Sequence, residues 1–203
     1  MANVYAKKVG GTWFGVVFDG VRVSATTFGS TEKGVMQNLK ESVQQYVPLQ
    51  RLETPSTFAE HLVAVLKDIY DGKGFSEKFS FETGSLSNYA RRVIEAVCLI
   101  PPGYVASYGG VAQAAGGSPR AVGHVMASNP FAPLCPCHRV VRSDFTLGGY
   151  GGGLDVKLAF LKRERRGYSS KKTVETKGGN IQLFPVESVM NRLEGKRHLP
   201  FRA

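Results

Sequence analysis

The chain has 203 residues, 42% of them hydrophobic, enough for one ordinary core or two small ones, which excludes a disordered polypeptide. Its 26 lysines and arginines against 16 aspartates and glutamates give a formal net charge of +10, so nucleic acid, an anionic membrane and an acidic protein all qualify as partners. No apolar run approaches the roughly 20 residues of a spanning helix, and Met1–Tyr5 lacks the charged and apolar regions of a signal peptide.

Three cysteines, Cys98, Cys135 and Cys137, are too few and too odd in number for a disulfide-stapled secreted domain. The expectation is an intracellular protein, cytoplasmic or nuclear, with no membrane contact. His61, His124, His138 and His198 are scattered, and Cys135 and Cys137 have no second pair to complete tetrahedral ligation. No metal and no cofactor are expected.

In chain order, the first thirty or so residues read as a small antiparallel sheet. Runs at Val4–Ala6, Thr12–Phe18 and Val21–Thr27 are separated by Gly10-Gly11 and by Asp19-Gly20, and Asp-Gly between β-branched runs is a strong hairpin signal. Thr31 to Tyr46 reads as a helix with Thr31 as its cap and Val35, Leu39 and Val43 on one face. Phe58 to Tyr70 is a second helical stretch or a loosely ordered connection, ended by Asp71-Gly72-Lys73-Gly74. This N-terminal α+β domain, residues 1–84, suggests no chemistry of its own.

The character changes after Ser87. Asn88 to Ile100 is an amphipathic helix with Val93, Val97 and Ile100 at helical spacing, stopped by Pro101-Pro102-Gly103. Tyr108 to Ala115 and Pro119 to Ser128 are short helices joined by Gly116-Gly117-Ser118, the outline of a helix-turn-helix with Ser118 as cap and Pro119 in the first turn. Two short helices at a glycine turn are also a common packing unit. Residues 85–168 form a mainly helical C-terminal domain, and residues 169–203 a basic extension with Lys171, Lys172, Lys177 and an apolar patch at Ile181–Val186.

The chemistry concentrates at Asn129–Val141. A cysteine held by Pro136 and followed by His138 and Arg139 places a thiol among groups that favour the thiolate, its nucleophilic form; a buried structural cysteine is the competing reading. Pro136-Cys137-His138-Arg139-Val140 resembles the active-site signature of the O6-alkylguanine-DNA alkyltransferases. The resemblance extends over roughly residues 88–166. It takes in Ile100–Gly103, Ser107-Tyr108, Arg120–Gly123, Asn129-Pro130, Gly148–Leu154, Lys157 and Glu164, in the family's order and spacing.

That resemblance implies irreversible transfer of an alkyl group from O6-alkylguanine in double-stranded DNA to Cys137, by a monomer, with O4-alkylthymine as a lesser substrate. Glu164 would orient His138, which through a water would take the Cys137 proton; lying among Lys162, Arg163, Arg165 and Arg166, Glu164 could equally be an ion-paired helix residue. Asn129 would brace the turn before the active-site strand. Because O6 lies inside the base stack, the base must be flipped. Arg120 would fill its place, Ala121 and Gly123 would let the helix approach the minor groove, and Ser107 would lie against DNA. Tyr108 would crowd the phosphate, Met126 would form an apolar wall, the carbonyls of Cys137 and Val140 would take the guanine amino group, and Tyr150 and the Gly151 N–H would meet O6.

Ala127 and Ser128 depart from an arginine-glycine pair common at that point, and Cys135 is unusual. A strained or mixed-redox link from Cys135 to Cys137 is one reading, but residues i and i+2 of an extended segment face opposite sides, which favours a buried thiol. Three rivals are weighed. An alkyltransferase-like DNA binder would lack Cys137. A helix-turn-helix regulator would bind DNA without thiol alkylation. A cysteine hydrolase is disfavoured because adjacent side chains on an extended strand cannot easily pair.

Overall fold

Strands β1 (Ala2–Val9), β2 (Thr12–Asp19) and β3 (Arg22–Gly29) form the centre of a five-stranded sheet in the computed structural model, which describes residues 1–43, 47–75 and 77–195. Both antiparallel pairings are as expected, with Tyr5 opposite Val16 and Val16 opposite Thr26. Gly10 (φ 57°), Gly11 (φ 88°) and Gly20 (φ 56°) take the left-handed conformations that such tight turns require. Two short parallel strands, β4 (Leu49–Arg51) beside β1 and β5 (Ser80–Phe81) beside β3, finish the edges. They are too short to carry an alternation readable in sequence.

Helix α1 (Glu32–Ser42) starts where Thr31 accepts the Gly34 N–H, and its buried Val35 and Leu39 pack with Val4, Val17 and Ala25. The end expected at Tyr46 falls among residues 44–46, outside the described ones. Helix α2 (Thr57–Tyr70) resolves the alternative left open by the sequence in favour of a regular amphipathic helix.

The chain divides into two compact units. The first comprises residues 1–70, 75–85 and 130–134, so five residues just before Cys135-Pro136-Cys137 are built into it. Thr26 holds them: its N–H donates to the Pro130 carbonyl (2.9 Å) and its hydroxyl to the Ala132 carbonyl (3.0 Å). Phe131 is fully buried against Phe81, ring centroids 4.5 Å apart.

The second unit carries helices α3 (Asn88–Cys98), α4 (Tyr108–Ala115), α5 (Pro119–Ala127), α6 (Leu154–Arg163) and α7 (Val186–Leu193). With them runs a four-stranded sheet, ordered β7 (Val140–Val141), β6 (Tyr104–Ser107), β9 (Gly179–Pro185) and β8 (Lys172–Thr176). Ser87, Ser107 and Ser118 cap α3, α4 and α5, accepting the N–H of Ala90, Gly110 and Ala121. Gly116 (φ 73°) ends α4, and Gly117 has no room for a side chain because a Cβ there would lie 2.4 Å from the Tyr89 ring.

Residues 168–195 are integral to this unit. Strand β9 pairs with β6, the Val186 N–H donates to the Gly103 carbonyl (2.9 Å), and Val186, Val189 and Met190 are buried with Val105, Val141 and Leu161. Glu187 accepts the backbone N–H groups of Arg166 (3.2 Å) and Gly167 (2.7 Å), which clamps the chain just after α6.

No helix among the described residues is long and apolar enough to cross a membrane. Since the Ser118 hydroxyl accepts the Ala121 N–H at 3.2 Å, Ser118→Ala should lower unfolding free energy by about 1 kcal/mol, and Ser118→Asp should recover most of it in the same urea titration.

Candidate active site

Cys137, His138 and Arg139 form one turn of 3-10 helix, where an extended strand was expected. Pro136 (φ −81°, ψ 65°) starts it, the Cys137 N–H donates to the Cys135 carbonyl (2.8 Å), and the Arg139 N–H donates to the Pro136 carbonyl (2.9 Å). At three residues per turn, successive side chains fan out by about 120°. Cys137 thereby reaches a cavity while His138 and Arg139 turn into the interior.

The carboxylate of Glu164, at the C-cap of α6, lies fully buried between them. It sits 3.0 Å from His138 Nε2 and accepts from Arg139 Nε (3.1 and 3.0 Å) and from one terminal guanidinium nitrogen (2.8 Å). The other terminal nitrogen donates to the Ile100 carbonyl at 2.6 Å. The His138 ring stacks on Phe160, centroids 4.5 Å apart.

Burial pushes the Glu164 carboxyl up, but the charges of His138 and Arg139 and the bonds they make outweigh it and hold its pKa at about 2. Burial pushes the His138 pKa down, only partly countered by Glu164. A neutral imidazole beside a carboxylate donates from Nε2, which leaves Nδ1 with its lone pair. That Nδ1 is buried and has no hydrogen-bond partner among the described residues.

Cys137 is 6% exposed. Burial raises its thiol pKa, opposed by the Asn129 amide and the Lys157 charge. Desolvation of the anion prevails over these groups, which runs against the expectation that the surroundings of Cys137 favour the thiolate. Asn129 donates to the Cys135 carbonyl at 3.1 Å, so it braces the turn from the side. Cys135 is buried with its sulfur 3.9 Å from the Ile94 carbonyl.

Of the residues named from sequence, Tyr108, Arg120, Gly123, Met126, Cys137, Tyr150 and Gly151 line one cavity of about 870 Å³, together with Pro119, Ala127, Arg142, Ser143, Asp144 and Gly148-Gly149. Arg120 stands exposed in the first turn of α5, and a Cβ at Gly123 would meet nothing within 4 Å. Gly148 (φ 68°) is needed where it stands, since a Cβ would lie 2.7 Å from the Tyr108 ring. Tyr108 donates to the Gly149 carbonyl at 3.3 Å. Burial, reinforced by Cys137, raises the Tyr150 pKa and keeps its phenol protonated. Ser107 and Ala121 are outside the cavity lining, and the Ser107 hydroxyl is occupied as the cap of α4.

The sequence reading missed two partners. Arg139 is the buried cation of Glu164, and Lys157, fully buried, donates to the carbonyls of Val140 (2.6 Å) and Gly149 (3.2 Å). Burial lowers the Lys157 pKa to about 8, with Cys137 acting in the opposite direction. The signal was present in α6: Lys157, Phe160, Leu161 and Glu164 share the buried face, two charged residues at helical spacing with two apolar ones.

Residues 88–166 match the family model described as 6-O-methylguanine DNA methyltransferase, DNA binding domain. Over 81 residues the chain is 46% identical to the methylated-DNA–protein-cysteine methyltransferase of Methanothermobacter thermautotrophicus, covering 40% of this chain and under half, 46%, of that protein. A longer match, 39% identity over 137 residues with the Mycolicibacterium paratuberculosis protein of the same name, covers 65% of this chain and 81% of the relative. The chain belongs to the methylated-DNA–protein-cysteine methyltransferase family. The fold agrees: the structure of Mycobacterium tuberculosis OGT in complex with DNA aligns at 25% identity and TM-score 0.61, covering 80% of this methyltransferase-family chain and 92% of that one.

Removing the Glu164 charge strands Arg139 in the interior. Glu164→Gln should cost about 3–5 kcal/mol in denaturant unfolding at neutral pH. The wild-type contribution is complete above the ordinary carboxyl value of 4.5 and is lost as pH falls through about 2. The stability gap between the two proteins should accordingly close across that window.

Proposed function

We propose that this chain repairs duplex DNA by moving an alkyl group from guanine O6 to Cys137 Sγ, once per molecule. The observation that carries this is a thiol on the floor of a cavity rimmed by the capped, cationic first turn of α5, backed by a His138–Glu164 pair whose free imidazole nitrogen is buried. His138 Nδ1 takes the thiol proton through a water, and the imidazolium so formed is stabilised by Glu164.

The sulfur then attacks the alkyl carbon in line, a C–S bond forms, and the C–O6 bond breaks with its electrons going to guanine. Tyr150 and the Gly151 N–H donate to that oxygen, and the proton that left Cys137 neutralises the guanine anion. A thioether has no route back to thiol here, so each chain turns over once.

For the thiol to reach O6 the base must leave the stack. The N-terminus of α5 offers a helix-end charge for phosphate, Arg120 fills the vacated position, and the open face at Gly123 admits the sugar-phosphate chain. Met126 gives the cavity an apolar wall. The partner is double-stranded DNA, and the net charge of +10 supports the encounter.

Intact-mass measurement after incubation with a duplex containing O6-methylguanine should show one added methyl, mapped to Cys137, and Cys137→Ser should bind the duplex without gaining mass. An active, folded sample that gains nothing would leave a DNA-binding protein in place of a repair enzyme. Arg120→Ala should slow reaction with alkylated duplex while leaving reaction with free O6-benzylguanine near wild type, since only the duplex needs flipping. Equal loss on both substrates would remove Arg120 from that role.

A further inference from the structure

Two of the three cysteines take no part in the chemistry above, yet they meet. Cys135 is fully buried, and its sulfur lies over the carbonyl of Ile94, one helical turn before Cys98, the last residue of α3. Burial first, and then its neighbour Cys98, push the Cys135 thiol well above its ordinary value. Cys98 is partly exposed, whereas Cys135 is fully buried.

We propose that Cys98 and Cys135 are an oxidisable dithiol whose reversible disulfide restrains Cys137. With a hydroperoxide as oxidant, Cys98 sulfur attacks the outer peroxide oxygen, giving a sulfenic acid and releasing an alcohol, or water from hydrogen peroxide. Cys135 sulfur then displaces the hydroxyl group of that sulfenic acid, the S–S bond forms, and water leaves. Two thiols and one hydroperoxide become one disulfide, one alcohol and one water.

The effect on the nucleophile follows from the Cys135 backbone. Its carbonyl accepts both the Cys137 N–H (2.8 Å) and the Asn129 side-chain amide (3.1 Å). Drawing the Cys135 side chain into a bond with Cys98 turns the residue that carries both. The 3-10 turn then presents Cys137 off its working direction, and a misplacement of about 1 Å is enough to cost up to roughly a hundredfold in rate. The sequence had paired Cys135, if with anything, with Cys137; the fold gives it Cys98.

The linkage is independent of the DNA-repair reading and is tested without DNA. Full-length protein is treated with hydrogen peroxide, digested without reductant, and mapped; in parallel, the rate of Cys137 alkylation by iodoacetamide is followed. The expected result is a Cys98–Cys135 cross-linked peptide, reversed by dithiothreitol, with Cys137 alkylation slower by about tenfold to a hundredfold in the oxidised form. Cys98→Ala should keep the reduced-state rate and lose the peroxide response.

Oxygen adducts without a cross-link, a Cys135–Cys137 link, or the expected link with an unchanged Cys137 rate would each overturn the proposal. The wild-type map decides the linkage even if a variant fails to fold. A chain that forms the link but takes no methyl from DNA would keep this inference and lose the repair reading.

Discussion

The buried carboxylate of Glu164 is the constraint on which the second unit turns. An ion pair away from water costs several kcal/mol in desolvation and is tolerated only when its geometry is good and its remaining hydrogen-bonding positions are filled. Here Arg139 grips both oxygens and His138 meets one of them, while the far end of the guanidinium reaches the Ile100 carbonyl. Three separated pieces of chain, the end of α6, the Cys137–Arg139 turn and Ile100, two residues past α3, are thereby fixed to one another. The same carboxylate that stabilises the turn also faces His138 Nε2, so in the proposed reaction stability and chemistry share a single group.

The thiol is kept quiet until needed. Burial disfavours the Cys137 anion more than Lys157 and Asn129 favour it, so the thiol is pushed up, and in the proposed reaction it is activated through His138. Lys157 contributes chiefly by geometry, tying the strand after the turn to the glycine loop through two carbonyls. That loop carries Tyr150 and Gly151, and Gly148 is the point where it passes close against Tyr108. The cavity walls are thus set by a few hydrogen bonds from a buried cation.

Beyond residue 166, where the family match ends, the chain adds its own support. Strand β9 extends the sheet that begins at β7, and Glu187 holds the two backbone N–H groups that follow Arg165. The apolar patch at residues 181–186 was visible in sequence. Its destination was not, because a strand's partner is chosen by burial against distant residues.

Local signals were enough for much of this molecule. Gly10-Gly11 and Asp19-Gly20 mark the hairpins, Thr31 and Ser118 the helix starts, and Pro101-Pro102 the stop after α3, because each acts through backbone geometry within a few residues. The ordered motif from Asn88 to Glu164 placed the family and about half of the cavity lining. Only the tertiary structure decided which charge Glu164 meets, where Lys157 goes, that the Cys137 turn is 3-10 and its thiol pushed up by burial, and that the Cys135 sulfur lies over the Ile94 carbonyl of α3. Desolvation and contacts between residues tens of positions apart set all of these. Neither is a property of the local sequence.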